Sequence, residues 1–280
     1  MPHYSKQLLL LGTLLLLASC GSLGGRDGGP SRSADLSHVP DAVPRAEPRS
    51  RYGNPASYEV NGRRYTVRNS AEGYVERGIA SWYGTKFHGR RTSSGETYDM
   101  HALTAAHTTL PLPTYVRVTN LNNGRSTVVR VNDRGPFHDN RIIDLSYAAA
   151  SKLGIVETGT GLVEVRALTP GQPAPPPLTV AQTAPAVTSG AALGGPATVA
   201  QPVGLYLQVG AFVSRSNAEQ LRSRLSGEPL PPVRVQEGAD ASNTPIYRVR
   251  IGPISSVDEA DRLAARLGNL GVGTPHVVID

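Results

Sequence analysis

From Thr169 to Val203 the chain carries no charged residue and is built mainly from Pro, Ala, Thr, Gly and Val. Such a stretch reads as a linker, and it divides the 280-residue chain into two parts. It spans roughly 30 Å if flexible and up to about 100 Å if extended. The sequence on either side is long enough for one modest domain. With 30 Gly, 23 Pro and only 5% aromatic residues, the composition suits two small cores with long tails.

The N-terminus, MPHYSKQLLLLGTLLLLASC, places Lys6 ahead of an apolar run, Leu8 to Leu17, too short to span a bilayer on its own. Cys20 is the only cysteine, so no intramolecular disulfide can form. Leu17-Ala18-Ser19-Cys20 resembles a bacterial lipobox, the alternative being an ordinary signal peptide with an incidental cysteine. The lipobox implies a signal peptide over 1–19 and a lipid on Cys20. Gly21 in place of Asp implies sorting to the outer membrane, facing the periplasm. The formal charge of +6 makes nucleic acid the default partner. Export argues against that and favours anionic wall polymer or lipid head groups. Residues 20–72 are expected to be a tether, with a short type I′ hairpin where Tyr58 to Tyr65 alternates around Asn61-Gly62.

Residues 73–168 form the first domain. YVRVTNL (115–121) and STVVRVN (126–132) alternate as strands, with Asn122-Asn123-Gly124 as the turn between them. LSYAAASKLGI (145–155) reads as a helix that Gly154 ends. About a hundred residues of short strands with one or two helices predicts a small β-barrel.

Residues 204–280 read as βαββαβ, an α+β sandwich of ferredoxin-like type. Strand parity turns Leu205, Leu207, Val209, Tyr247, Val249 and Ile251 toward the helices. It leaves Tyr206, Gln208, Ile246, Arg248 and Arg250 on the open face, with Arg234 and Gln236 beside them. That face suits stacking on sugars and hydrogen bonding to them, although a merely solvated polar face has the same pattern. Gln208-Val209-Gly210-Ala211-Phe212, Asn217-Ala218 and Tyr247 to Pro253 resemble the sporulation-related repeat (SPOR) domain. The resemblance implies binding of peptidoglycan strands stripped of stem peptides at division septa, with Gln208, Ile246 and Arg248 on ligand-contact positions. Ala211 stands where some members have serine.

In Val129-Arg130-Val131-Asn132-Asp133, parity puts Asp133 at a strand end on the side of the two valines. A carboxyl held against an apolar interior keeps its proton to higher pH. The plainer reading is a turn aspartate ahead of Gly135-Pro136. Glu96 ends a polar loop, Gly89 to Glu96, and by itself is a loop charge. His107 follows the small-residue run Leu103-Thr104-Ala105-Ala106 and by itself is a core histidine.

Taken together, Gly78 to Gly84, Thr92 to Glu96, Ala105-Ala106-His107, Asn132 to Phe137 and Arg141 to Ser146 resemble the rare lipoprotein A family. The resemblance implies a double-psi β-barrel acting as a lytic transglycosylase, with Asp133, Glu96 and His107 on the catalytic positions. Such an enzyme cleaves the β-1,4 bond after N-acetylmuramic acid without water, the C6 hydroxyl attacking C1 to leave a 1,6-anhydro end. One carboxyl can serve, and Asp133 is expected to be the acid/base. Glu96 would raise its pKa by like charge and His107 would orient a carboxyl or bind substrate, two roles open to exchange. Trp82 and Tyr83 either stack on a sugar or pack the barrel. Arg134 and Arg141 either shape the cleft or ion-pair with Asp144. No HExxH, no cysteine partner and no Gly-rich phosphate loop after a strand points to a metal or cofactor. Two rivals remain: a non-catalytic wall-binding protein, and a hydrolase using Glu96 and Asp133 as a pair.

Overall fold

A computed structural model of the chain describes residues 28–30, 36, 38–138, 140–171, 204–240, 242–273 and 275–279. The lipobox cysteine and nearly all of the linker lie outside them. A hairpin, β1 (Ser57–Val60) and β2 (Arg63–Thr66), comes first. It turns on Asn61 and Gly62, both at positive φ (52° and 76°), as a type I′ turn requires.

The barrel strands follow as β3 (Val75–Tyr83), β4 (Thr104–His107), β5 (Thr114–Asn120), β6 (Ser126–Asp133), β7 (Arg141–Ser146) and β8 (Thr160–Ala167). They close in the order β3-β7-β4-β6-β5-β8. Two neighbouring pairs are parallel, β3 with β7 and β4 with β6, and the others are antiparallel. This is the double-psi barrel expected from the sequence. Val116, Val118, Val129, Val131, Leu145, Val163 and Val165 are fully buried in it. Truncating one such residue to alanine costs about 2–4 kcal/mol.

Helix α1 (Tyr147–Leu153) packs against the barrel. Ser146 caps it by accepting from the Ala149 N–H, and Gly154 ends it in the left-handed conformation. Three consecutive alanines, Ala148 to Ala150, are fully buried, which lets the helix approach closely.

Residues 38–56, expected to be part of a free tether, lie along the barrel instead. Asp41 accepts from Thr127 and pairs with Lys152. Glu47 pairs with Arg130, and the Asn54 amide both donates to and accepts from the Leu112 backbone. These contacts are polar and join residues far apart in the chain, so no apolar periodicity could have announced them.

The second domain contains β9 (Leu205–Phe212), α2 (Arg215–Leu225), β10 (Val233–Ala239), β11 (Pro245–Ile254), α3 (Val257–Asn269) and β12 (His276–Ile279). The βαββαβ order is as expected, with an antiparallel sheet β10-β11-β9-β12. Ser214 opens α2, and Ser256 caps α3 by accepting from the Glu259 N–H. Leu205, Leu207, Val249 and Ile251 are buried, as parity required, while Val209 and Tyr247 are half-buried.

Candidate active site on the barrel

Strand register assembles the site. Ala105 pairs with Val131, but Ala106 pairs with Asp133, so β6 accommodates one extra residue at Asn132. This bulge breaks the parity that placed Asp133 with the valines. Asp133 is half-buried rather than held in the apolar interior. Its Oδ1 accepts three hydrogen bonds, from the Ser93 N–H (2.7 Å), the Ser93 hydroxyl (2.6 Å) and the Arg134 N–H (2.7 Å). The loop bearing Ser93 is closed by the Thr92 N–H to the Glu96 carbonyl and turns at Gly95, whose φ of 92° suits glycine.

Glu96 does not act on Asp133 as an unpaired like charge. Its carboxylate receives both of its oxygens' bonds from one Arg130 nitrogen, at 2.9 and 2.8 Å, and a further bond from the Asn132 amide. Arg130 also binds Glu47, whose pKa falls to about 2 chiefly through that contact. Glu96 thereby braces the bulge through Asn132, the residue before Asp133.

His107 is buried and 2% exposed. Its Nδ1 accepts from the Thr109 and Leu110 N–H groups, so the proton sits on Nε2 and is donated to Tyr74, whose hydroxyl donates to Glu76. Burial first, then Arg134 and Arg68, lowers its pKa to about 3. It is a neutral clamp on the loop after β4. The carbonyls of that loop, His107 and Leu110, accept from Arg134, which also donates to the Gly53 carbonyl. Arg134 is thus committed to backbone carbonyls rather than to an ion pair with Asp144. Its own N–H reaches Asp133, so the histidine orients the carboxyl indirectly.

The two aromatics of β3 are packed against neighbouring rings rather than presented as sugar platforms. Tyr83 is buried and stacked on Tyr98 with ring centroids 4.1 Å apart. Trp82 is half-buried and packs edge-on against Tyr147. The exposed aromatic surface lies elsewhere. Phe137 meets Tyr58 and Tyr65 edge-on, those two stack on each other, and Arg134 lies over Tyr58. A cleft of about 350 Å³ opens beside them, walled by Tyr65, Thr108, Pro136, His138 and Arg141. The sequence announces the hairpin but not its place beside Phe137 and Arg134, because that placement is tertiary. Among the described residues no group of three or more His, Cys, Asp or Glu side chains could hold a metal ion.

On the second domain, register sets Arg234 opposite Arg250, Arg250 opposite Gln208, and Gln208 opposite His276 across the sheet. Gln236 pairs with Arg248, and Arg248 with the exposed Ala211. Tyr206, Gln208, Ile246 and Arg248 are each half-buried.

The family model described as lytic transglycolase matches residues 75–166, and that of the SPOR domain matches residues 201–279. The endolytic peptidoglycan transglycosylase RlpA of Pseudomonas aeruginosa is 46% identical over 289 residues, which cover 89% of this chain and 84% of that protein. The protein of the same name from Vibrio cholerae is 52% identical over 173 residues, 60% of this chain and 65% of that one. The crystal structure of the RlpA SPOR domain from P. aeruginosa is 40% identical and covers 27% of this chain and 97% of that one, with a TM-score of 0.26. The similarity to the P. aeruginosa protein runs through both domains in the same order, and the chain belongs to the RlpA family.

Proposed function

We infer that this chain is an endolytic peptidoglycan transglycosylase, with the barrel as its catalytic domain and the SPOR domain as its peptidoglycan-binding domain. The observation that carries the reading is the half-buried Asp133 carboxylate, held by three donors on a bulge of an RlpA-family barrel. The reaction needs one proton delivered to the departing sugar oxygen and one removed from the C6 hydroxyl. The C6 oxygen bonds to C1 as the C1–O4 bond breaks, and no water is consumed. Asp133 is the carboxyl on which this exchange centres. Glu96 and His107 are positioning residues, the first through Arg130 and Asn132, the second through the loop that holds Arg134. The hydrolase alternative that pairs Glu96 with Asp133 is disfavoured, because the Glu96 carboxylate is bound up with Arg130 and Asn132.

The finer reading is an outer-membrane lipoprotein, anchored through Cys20, that cuts peptide-free glycan strands at the division septum and helps daughter cells separate. The open SPOR face, with Tyr206, Gln208, Ile246 and Arg248, recruits it there and raises the local concentration of the barrel. Mass spectrometry of peptide-free glycan strands treated with the protein tests the reading. Fragments with 1,6-anhydro ends, made by the native chain and not by Asp133→Asn, are expected. Tight binding without fragments, equal in both proteins, would leave a wall-binding scaffold.

A further inference from the structure

In the sequence Asp144 lies within the Arg141 to Ser146 stretch and is a candidate partner for an arginine. Register gives it a different setting. Ala106 of β4 pairs with Asp133 of β6 on one side and with Asp144 of β7 on the other, and Asp144 pairs in turn with Ser81 of β3. Residues paired across strands share a face. Ser81, Asp144, Ala106 and Asp133 therefore form one row across four strands. The two carboxyl-bearing residues stand two strands apart, about 10 Å between backbones, with Ala106 as the strand residue between them.

The row has a direction. The Ser81 hydroxyl donates to Asp144 Oδ1, which leaves Oδ2 on the side of Gly135. A Cβ placed on Gly135 would lie 3.7 Å from that Oδ2 and 3.7 Å from the Ala106 Cβ. The missing side chain at Gly135 thus keeps open the space between Asp144 and the chain that carries Asp133. Asp144 is deep-set yet not sealed from solvent.

We propose that Asp144 is a second catalytic carboxyl of this site, the group that protonates the departing sugar oxygen, while Asp133 takes the proton of the C6 hydroxyl. The proposal rests on the transglycosylase reading above and divides the proton handling between two side chains. The Asp144 carboxylic acid gives its proton to O4 as C1–O4 breaks. The C6 oxygen bonds to C1, and its proton passes to the Asp133 carboxylate. Returning one proton from Asp133 to Asp144 restores the resting enzyme, and nothing else is consumed.

The surroundings of the two carboxyls differ as this division requires. Asp133 has three donors on one oxygen. Asp144 has the Ser81 hydroxyl, and burial raises its pKa above the ordinary carboxylate value. Asp133 adds to the rise, while Ser81, Arg141 and His138 oppose it without cancelling it. Tyr83, the remaining titratable neighbour, is itself pushed to high pKa by burial, so it stays neutral and adds no charge.

The test uses the full chain purified in detergent, with variants Asp144→Asn, Asp144→Glu and Asp133→Asn. Two substrates are compared, peptide-free glycan strands and a muramic-acid oligomer whose leaving group is a nitrophenolate that departs without a proton. On strands, Asp144→Asn is expected to lose about 100-fold or more in turnover, with Asp144→Glu retaining more than Asn. On the nitrophenyl substrate, Asp144→Asn should return to within about tenfold of the native rate while Asp133→Asn stays low. Wild-type activity should also fall on the alkaline side as Asp144 loses its proton, a limb absent from Asp144→Asn. Native turnover of strands by Asp144→Asn, or equal deficiency of that variant on both substrates, would overturn the assignment and leave the transglycosylase reading standing. A native chain that makes no anhydro ends would remove that reading and this one with it.

Discussion

The Nε2 of His107 and the hydroxyl of Tyr74 lie 2.8 Å apart, and their bond fixes a histidine that carries no charge. Its pKa of about 3 lies below the ordinary value of 6.5. Above pH 6.5 the imidazole is neutral in both folded and unfolded chains and contributes no pH dependence. As pH falls below 6.5 the unfolded chain binds a proton that the folded chain refuses, so stability declines until about pH 3. Urea midpoints measured between pH 7 and pH 3 should therefore slope more steeply in the native protein than in His107→Gln. The variant should be less stable at pH 7 and lose turnover without a change in the shape of the pH–rate curve. A shifted limb would mean that the imidazole itself moves a proton.

Glu47 gives the opposite kind of group, an acid with a lowered pKa. Its hydrogen bonds to Arg130 hold it near 2, against 4.5 in the ordinary case. The stability it adds is fully present above pH 4.5 and is lost as pH falls through about 2. Glu47→Gln should flatten the stability curve in that window. It should also loosen the N-terminal strap, so that limited proteolysis cuts near residues 38–56 sooner than in the native chain.

The local features of this fold could be read directly. Gly154 ends α1, Asn61-Gly62 turns the hairpin, and the period-2 pattern of β9 and β11 names the buried side of the second sheet. The site was read less well, because it depends on pairings between distant segments. Ser81 meets Asp144 only because β3 and β7 run parallel, a relationship no local pattern encodes. The bulge at Asn132 turned a sound parity argument about Asp133 to the wrong side. The docking of the strap has no local signature, because Asp41, Glu47 and Asn54 bind barrel residues far from them in the chain.

Ser93 supplies two of the three donors to Asp133, and only one of them is a side chain. Ser93→Ala removes the hydroxyl and keeps the N–H. A hydrogen bond to a charged group contributes about 1.5–3 kcal/mol, so turnover on glycan strands should fall roughly ten- to a hundredfold. Thermal stability should change little, since the loop remains closed by the Thr92 N–H and the Glu96 carbonyl. A Tm that falls in step with the turnover would instead make Ser93 a folding residue.

Gly135 has a φ of 141°, outside the range that L side chains adopt. Space is not the obstacle, because an added Cβ would meet its nearest neighbours at 3.7 Å. Gly135→Ala should therefore cost about 1–3 kcal/mol through backbone strain. Its methyl group would also stand between Asp144 and Ala106, so turnover should fall further than the loss of stability explains. Denaturation curves and initial rates on the same preparation separate the two effects.

Arg248 and Ala211 are register partners on the open face of the second sheet. The Arg248 guanidinium donates to the Ala239 carbonyl at 3.1 Å, which steadies it. Arg248→Ala should weaken co-sedimentation with peptide-free glycan about tenfold, while turnover of short soluble strands by the barrel stays unchanged. Ala211→Ser works in the other direction. The position is exposed, so a hydroxyl there costs no burial and adds a donor beside Arg248. One additional hydrogen bond contributes about 0.5–1.5 kcal/mol, and binding should tighten by roughly two- to tenfold. If both variants sediment like the native chain, the glycan does not meet this face of the sheet.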